Sequence, residues 1–255
     1  GGPRSGSGEG SDASNEFACD GGQAAPWLPS PACSAGTLPR RGGRDWCVVK
    51  VGGSLLTDSK RLRAILADCT TNGSVIVPGG GPFAHAVRQF QTRIGYDAET
   101  TRRMTVLAIE QFGHALVSLG TRLRAASTLD EIRQAHAEGA IPVWMPALLV
   151  LGTREIDIHT ASSSDALAAW LAARIENARL CLIKQIDLPD HSSLEAISAA
   201  GVVDQAFPAL LHPATRVFVA GPSDLSLAAR RLAEGVMPGR EVARETRTGF
   251  VEAAQ

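Results

Sequence analysis

A chain of 255 residues, 44% hydrophobic and 20% charged, has enough apolar content to build one large domain or two small ones. That composition excludes a wholly disordered chain, and no apolar run reaches the roughly 20 residues needed to cross a bilayer. A formal net charge of −1 provides none of the basic excess by which nucleic-acid binders displace counterions, so neither nucleic acid nor membrane is expected as a partner. Five cysteines, an odd number without a Cys-x-x-Cys pair, point to reduced thiols and a cytoplasmic setting rather than a disulfide framework or a zinc site.

Residues 1–44 are rich in Gly, Ser and Pro, with Phe17, Trp27 and Leu28 as isolated apolar residues. Such a stretch buries too little surface to offset its ordering entropy, so it reads as a disordered extension. It has no apolar core behind a charged start, so it does not read as a secretory signal. Residues 45–255 read as one domain. Trp46 to Val51 is an apolar run closed by Gly52-Gly53, which reads as a buried strand. Leu62, Ile65 and Leu66 have helical spacing. Ser74 to Val77 is a second strand, stopped by Pro78-Gly79-Gly80-Gly81, and Pro82 suits the first turn of a helix.

A long helical pattern runs from Ala98 to Leu123, with Met104, Leu107, Ile109, Phe112, Leu116 and Leu119 as its apolar face and Arg102-Arg103 on its solvated side. His114 reads as a packing residue. Leu129 to Ala137 is a helix and Ile141 to Trp144 a strand. Ser164-Asp165 opens a helix with Leu167, Trp170, Leu171 and Ile175 on one face. Arg179 to Ile183 and Arg216 to Ala220 are strands, and Leu225 to Ala233 a helix closed by Gly235 and Gly239. Strands alternating with helices predict an α/β fold: an open, mostly parallel sheet with helices on both faces.

Ligands of such sheets gather outside the carboxyl ends of the strands. Three predicted strands end in suitable residues: Lys50 with Gly52, Gly53 and Ser54; Gly79, Gly80 and Gly81; and Lys184. Glycines let a backbone approach an anion, and lysines supply point charges for phosphate oxygens. Taken singly, each has a plain alternative, a tight turn or a solvated lysine. Walker-type, protein-kinase and dinucleotide glycine patterns are absent.

Val48-Val-Lys-Val-Gly-Gly-Ser-Leu55, Val75-Ile-Val-Pro-Gly-Gly-Gly-Pro-Phe83, Ser163-Ser-Asp-Ala-Leu-Ala-Ala169, Leu182-Ile-Lys-Gln-Ile-Asp187 and Val217-Phe-Val-Ala-Gly221 resemble, in order, the motifs of the amino acid kinase superfamily. The resemblance spans roughly residues 46–240. It implies a three-layer kinase fold, a homo-oligomer, and transfer of a phosphoryl group from ATP, with Mg²⁺ carried by the nucleotide, to a small-molecule acceptor. It implies Lys50, Asp165 and Lys184 as the catalytic set, with Asp165 between the lysines. Ordinary helix capping is the alternative for Asp165. Gly52, Gly53, Ser54, Lys184 and Asp187 would face the nucleotide. Gly79, Gly80, Gly81, Phe83, His85, Ser163 and Ser164 would face the acceptor.

Two positions depart from the family pattern. Asp187 is followed by Leu188-Pro189 where many members have an Asp-Gly-Val-Tyr type segment, and Gly239-Arg240 stands where Gly-Thr is common. Arg88 and the pair His159-Thr160 are further candidates for the acceptor, although His85 also fits a half-exposed helix position. Pro142 to Pro146 and His159 to Ala169 are similar to a subgroup that includes a kinase of methanofuran synthesis, which implies an acceptor in one-carbon cofactor formation; a uridylate-like acceptor or another small carboxylate, phosphate or phosphate ester is the alternative. A second class stays open, a nucleotide- or oxyanion-binding storage protein of the same fold.

Overall fold

The computed structural model describes residues 1–2, 46–69, 73–152, 163–225, 231 and 236–244. Expectations about the amino-terminal stretch, His159-Thr160 and Gly235 fall outside them.

The apolar runs form the centre of a seven-stranded sheet. Its strands are β1 (Cys47–Val51), β2 (Ser74–Pro78), β3 (Leu123–Ala126), β4 (Ile141–Trp144), β5 (Arg179–Ile183), β6 (Arg216–Ala220) and β7 (Arg240–Val242), in the order β3-β4-β2-β1-β5-β6-β7. All neighbours are parallel except β7, which runs antiparallel to β6. Helices α1 (Ser59–Asp68), α2 (Gly81–Ile94), α3 (Ala98–Val117), α4 (Leu129–Ala137), α5 (Ala147–Gly152), α6 (Ser164–Ala172), α7 (Leu194–Ala199), α8 (Phe207–Leu210) and α9 (Pro222–Leu225) accompany them, with one 3-10 turn at Gly53–Thr57. Among the described residues no helix is long and apolar enough to cross a membrane.

Strand alternation divides the core. On β1, Cys47, Val49 and Val51 join a cluster with Leu62, Ile65 and Leu66 of α1. Trp46 and Val48 join the opposite cluster with Leu167, Trp170 and Leu171 of α6. Helix α6 is buried almost all round, as its run of Ala and Leu allows. Helix α3 serves both sides: Val106 and Ile109 pack with the α6 cluster, Phe112 and Leu116 with the α1 cluster.

Register decides where the motifs end up. Val51 is paired with Pro78 on one side and with Ile183 on the other. The carboxyl ends of β1, β2 and β5 therefore lie side by side. After β1 the chain builds the sheet in one direction (β2, β4, β3), then returns to β1's other side with β5. Such a reversal is the crevice where open parallel sheets bind ligands.

Several expectations need correction. The long helix stops at Val117, and Leu123 belongs to β3. Met104 and Leu107 are exposed, and Arg102 takes a buried place on that helix instead. Arg102 can do so because Glu99, three residues back, accepts bonds from its Nε and Nη2 at 3.0 and 2.8 Å. His114 is exposed rather than packed. The last predicted helix begins earlier, at Pro222, and its continuation past Leu225 is outside the described residues except Arg231.

Candidate active site

Lys50 keeps the parity of Val48, so its side chain leaves β1 on the α6 side of the sheet. Lys184 lies just beyond β5 and keeps the parity of Leu180 and Leu182, which also face α6. Helix α6 starts beside these strand ends. Its amino-terminal cap is Ser163, whose hydroxyl accepts the Ala166 N–H at 3.4 Å. Asp165 is thus not the cap: it sits in the first turn with its carboxylate turned to the two lysines. Lys50 Nζ stands 2.9 Å from Oδ1, and Lys184 Nζ donates to Oδ2 at 2.6 Å. Lys50 and Asp165 are each only 7% exposed.

This is one buried carboxylate with a cation on each oxygen. Burial pushes the Asp165 carboxyl up, but the charges of Lys50 and Lys184 outweigh that and hold it below the ordinary carboxylate range. Burial and the nearby Lys50 ammonium push Lys184 down, partly opposed by Asp165. Asp204 also acts on Lys184, so the positive excess of the site comes from three cations, Lys50, Lys184 and Arg88, against two carboxylates, Asp165 and Asp204, which suits a polyanion.

The glycine turns meet backbone to backbone. Gly79 N–H donates to Val51 O at 2.8 Å, tying the end of β2 to that of β1. A Cβ on Gly53 would overlap Gly81 Cα and N, and one on Gly79 would lie 2.5 Å from Gly53 N. Gly81 also has φ of 51°, in the left-handed region that favours glycine. Only chains without side chains at these points can bring the two turns together.

Between them and α6 lies a cavity of about 610 Å³. Lys50, Gly52, Gly53, Ser54, Gly80, Gly81, Ser163, Ser164 and Lys184 of the predicted residues line it. Asp165 stands behind the lysines and Gly79 behind Gly53. Phe83 and His85 are exposed and do not line the cavity. Asp187 does not line it either: its Oδ1 accepts the Ser223 N–H at 2.9 Å and the Ser223 hydroxyl at 2.7 Å, at the start of α9. Those two bonds hold its carboxyl below the usual range.

Other lining residues carried no signal as site residues: Ala84, Thr105, Ile109, Ile183, Gln185 and Asp204. Arg61 of α1 supports Gln185, donating from Nη1 to Gln185 Oε1 at 3.3 Å. Arg88, one turn after Ala84 on α2, also reaches the wall. Among the described residues, no group of three or more His, Cys, Asp and Glu is gathered to hold a metal.

The model of the amino acid kinase family matches residues 45–128, covering β1 to β3 and both glycine turns. A [5-(aminomethyl)furan-3-yl]methyl phosphate kinase of Methanocaldococcus jannaschii is 25% identical over 177 residues, covering 64% of this chain and 82% of that one. Among solved structures, the uridylate kinase of Archaeoglobus fulgidus superposes with a TM-score of 0.58 at 16% identity, covering 78% of this chain and all of that one. An isopentenyl phosphate kinase superposes with a TM-score of 0.50, also at 16% identity, covering 77% of this chain and all of that one. Residues 45–128 thus match the amino acid kinase family, a family of phosphotransferases that act on small molecules, and the fold of the chain is the one seen in these two solved kinases.

Proposed function

We propose that this protein transfers the γ-phosphoryl group of ATP to a small acceptor that itself bears a phosphate, [5-(aminomethyl)furan-3-yl]methyl phosphate or a near relative. The observation that carries the reaction class is the Asp165 carboxylate held between Lys50 and Lys184 beside two side-chain-free turns. The acceptor class is taken from the Methanocaldococcus jannaschii relative.

Phosphoryl transfer asks little covalent help of a protein; it asks for alignment and for neutralisation of spreading charge. In this reading an acceptor oxygen attacks the γ-phosphorus, the bond from that phosphorus to the β–γ bridging oxygen breaks, and ADP leaves with the electron pair. Lys50 and Lys184 neutralise the oxygens of the group in flight. Asp165 keeps the two ammonium groups at fixed positions and offsets their repulsion. The turns at Gly52-Gly53 and Gly80-Gly81 let phosphates approach the backbone. Mg²⁺ would be held chiefly by the nucleotide's phosphates and would add charge neutralisation there. An ionised phosphate acceptor has no proton to surrender, so the site needs no general base, and His85 outside the cavity fits that.

Buried Cys47 and Cys181, both free thiols, support a reducing, cytoplasmic setting. Exposed Phe90, Ile94 and Leu107 support a homo-oligomer, checked by sedimentation. The test of the reaction is phosphorus NMR of purified protein with Mg-ATP and [5-(aminomethyl)furan-3-yl]methyl phosphate. The expected result is ADP together with a new diphosphate ester. Tight nucleotide binding with no transfer to this or other phosphate-bearing acceptors would instead favour a binding or storage protein.

A further inference from the structure

The cavity has two unlike halves. Lys50, Lys184, Ser163 and Ser164 lie toward α6. The other half is walled by α2 and α3 and is mostly apolar, with Ala84 and Ile109 in its lining. Two polar groups interrupt that wall. Thr105 is 1% exposed, and its hydroxyl has no hydrogen-bond partner among the described residues. A helical threonine commonly returns its hydroxyl to a carbonyl one turn back, or points it to solvent. This one does neither, and a buried polar atom left unpaired is costly. Arg88 is the second group, an exposed side chain on the cavity wall that enters no ion pair or hydrogen bond among the described residues. Neighbouring arginines behave differently: Arg102 and Arg103 are both paired with Glu99.

We propose that Arg88 and Thr105 form the acceptor-recognition pair, Arg88 binding the acceptor's own phosphate and Thr105 hydrogen-bonding a polar atom of the acceptor inside the cavity. This rests on the phosphotransfer reading above and adds the residues that set acceptor choice. A planar, permanently charged guanidinium matches a phosphate with paired donors, while the bounded apolar surface of Ala84 and Ile109 limits the acceptor to a small body. A neutral alcohol of the same shape offers the guanidinium no charge to pair with and would bind more weakly.

The test is isothermal titration of benzyl phosphate and of benzyl alcohol into the Mg-ADP complex of the parent, Arg88→Ala, Arg88→Lys and Thr105→Val. The pair predicts that the parent binds the phosphate and not the alcohol. Arg88→Ala should weaken phosphate binding roughly 10- to 100-fold, with Arg88→Lys recovering part of it. Thr105→Val keeps the shape and removes the hydroxyl. With [5-(aminomethyl)furan-3-yl]methyl phosphate it should raise the acceptor KM about 10-fold and leave the ATP KM unchanged. Its melting temperature should be equal or higher, because an unpaired buried oxygen has gone. A purely structural Thr105 would lower the melting temperature and leave the acceptor KM alone. Failure of the parent to bind benzyl phosphate, or equal binding by Arg88→Ala, overturns the pair. Arg88-dependent binding without any turnover would remove the reaction and keep the recognition, whereas turnover indifferent to Arg88 would do the reverse.

Discussion

At the scale of single residues, the decisive one is Asp165, because it is buried and holds both lysines at once. Asp165→Asn keeps the shape and removes the charge. The two ammonium groups would then repel without compensation, and kcat should fall by on the order of 100-fold, about 3 kcal/mol. Stability should fall too, by roughly 3 kcal/mol, since a buried ion pair has lost one partner. Without the carboxylate, the folded-state pKa of Lys184 drops further below its unfolded value. Between the two values the unfolded chain binds more protons, so the stability of this variant should rise with pH there. Melting curves of Asp165→Asn and parent across the alkaline range check this; parallel curves would count against the triad. In the parent, burial and Lys50 already depress Lys184. The alkaline limb of kcat/KM should accordingly appear below the pH at which an ordinary lysine loses its proton. A profile flat into that range would contradict it.

At the scale of elements, the site depends on two turns touching. Gly53→Ala would place a methyl group on the Gly81 backbone, and neither backbone can yield without moving β1 or α2. The expected result is a loss of activity of at least 100-fold together with a lowered melting temperature. Near-parental kinetics would show that the two turns need not meet. These turns were readable in the residue string because glycine runs at strand ends are rare and local. The lysines were readable for the same reason, each standing at the end of an apolar run. Helix α3 was less readable. Its spacing fits two apolar stripes, one through Met104 and Leu107 and one through Val106, Ile109, Phe112 and Leu116. Only packing against β2, β4 and α2 selects the second. Thr105 and Arg102 lie on that buried face, where a search for apolar residues passes over them. Gln185 and Asp204 reach the cavity from loops, whose placement depends on contacts remote in sequence. Strand β3, Leu-Arg-Ala-Ala, has no β-branched residue and is held by pairing with β4.

At the scale of the whole molecule, a 7-stranded sheet reverses its winding around β1, and this alone brings together residues more than a hundred positions apart. Helix α6, buried almost throughout, fixes the height of Asp165 against both lysines. The central claim is that this junction performs phosphoryl transfer through Lys50 and Lys184. Its most direct measurement is the single-turnover rate with radiolabelled Mg-ATP and the phosphate acceptor, for the parent, Lys50→Ala and Lys184→Ala. Either substitution leaves the other lysine paired with Asp165, so each variant keeps a charge partner for that carboxylate. The account predicts a 10²- to 10³-fold slower transfer in each variant, with cooperative unfolding retained. Transfer at parental rate in both folded variants would contradict it.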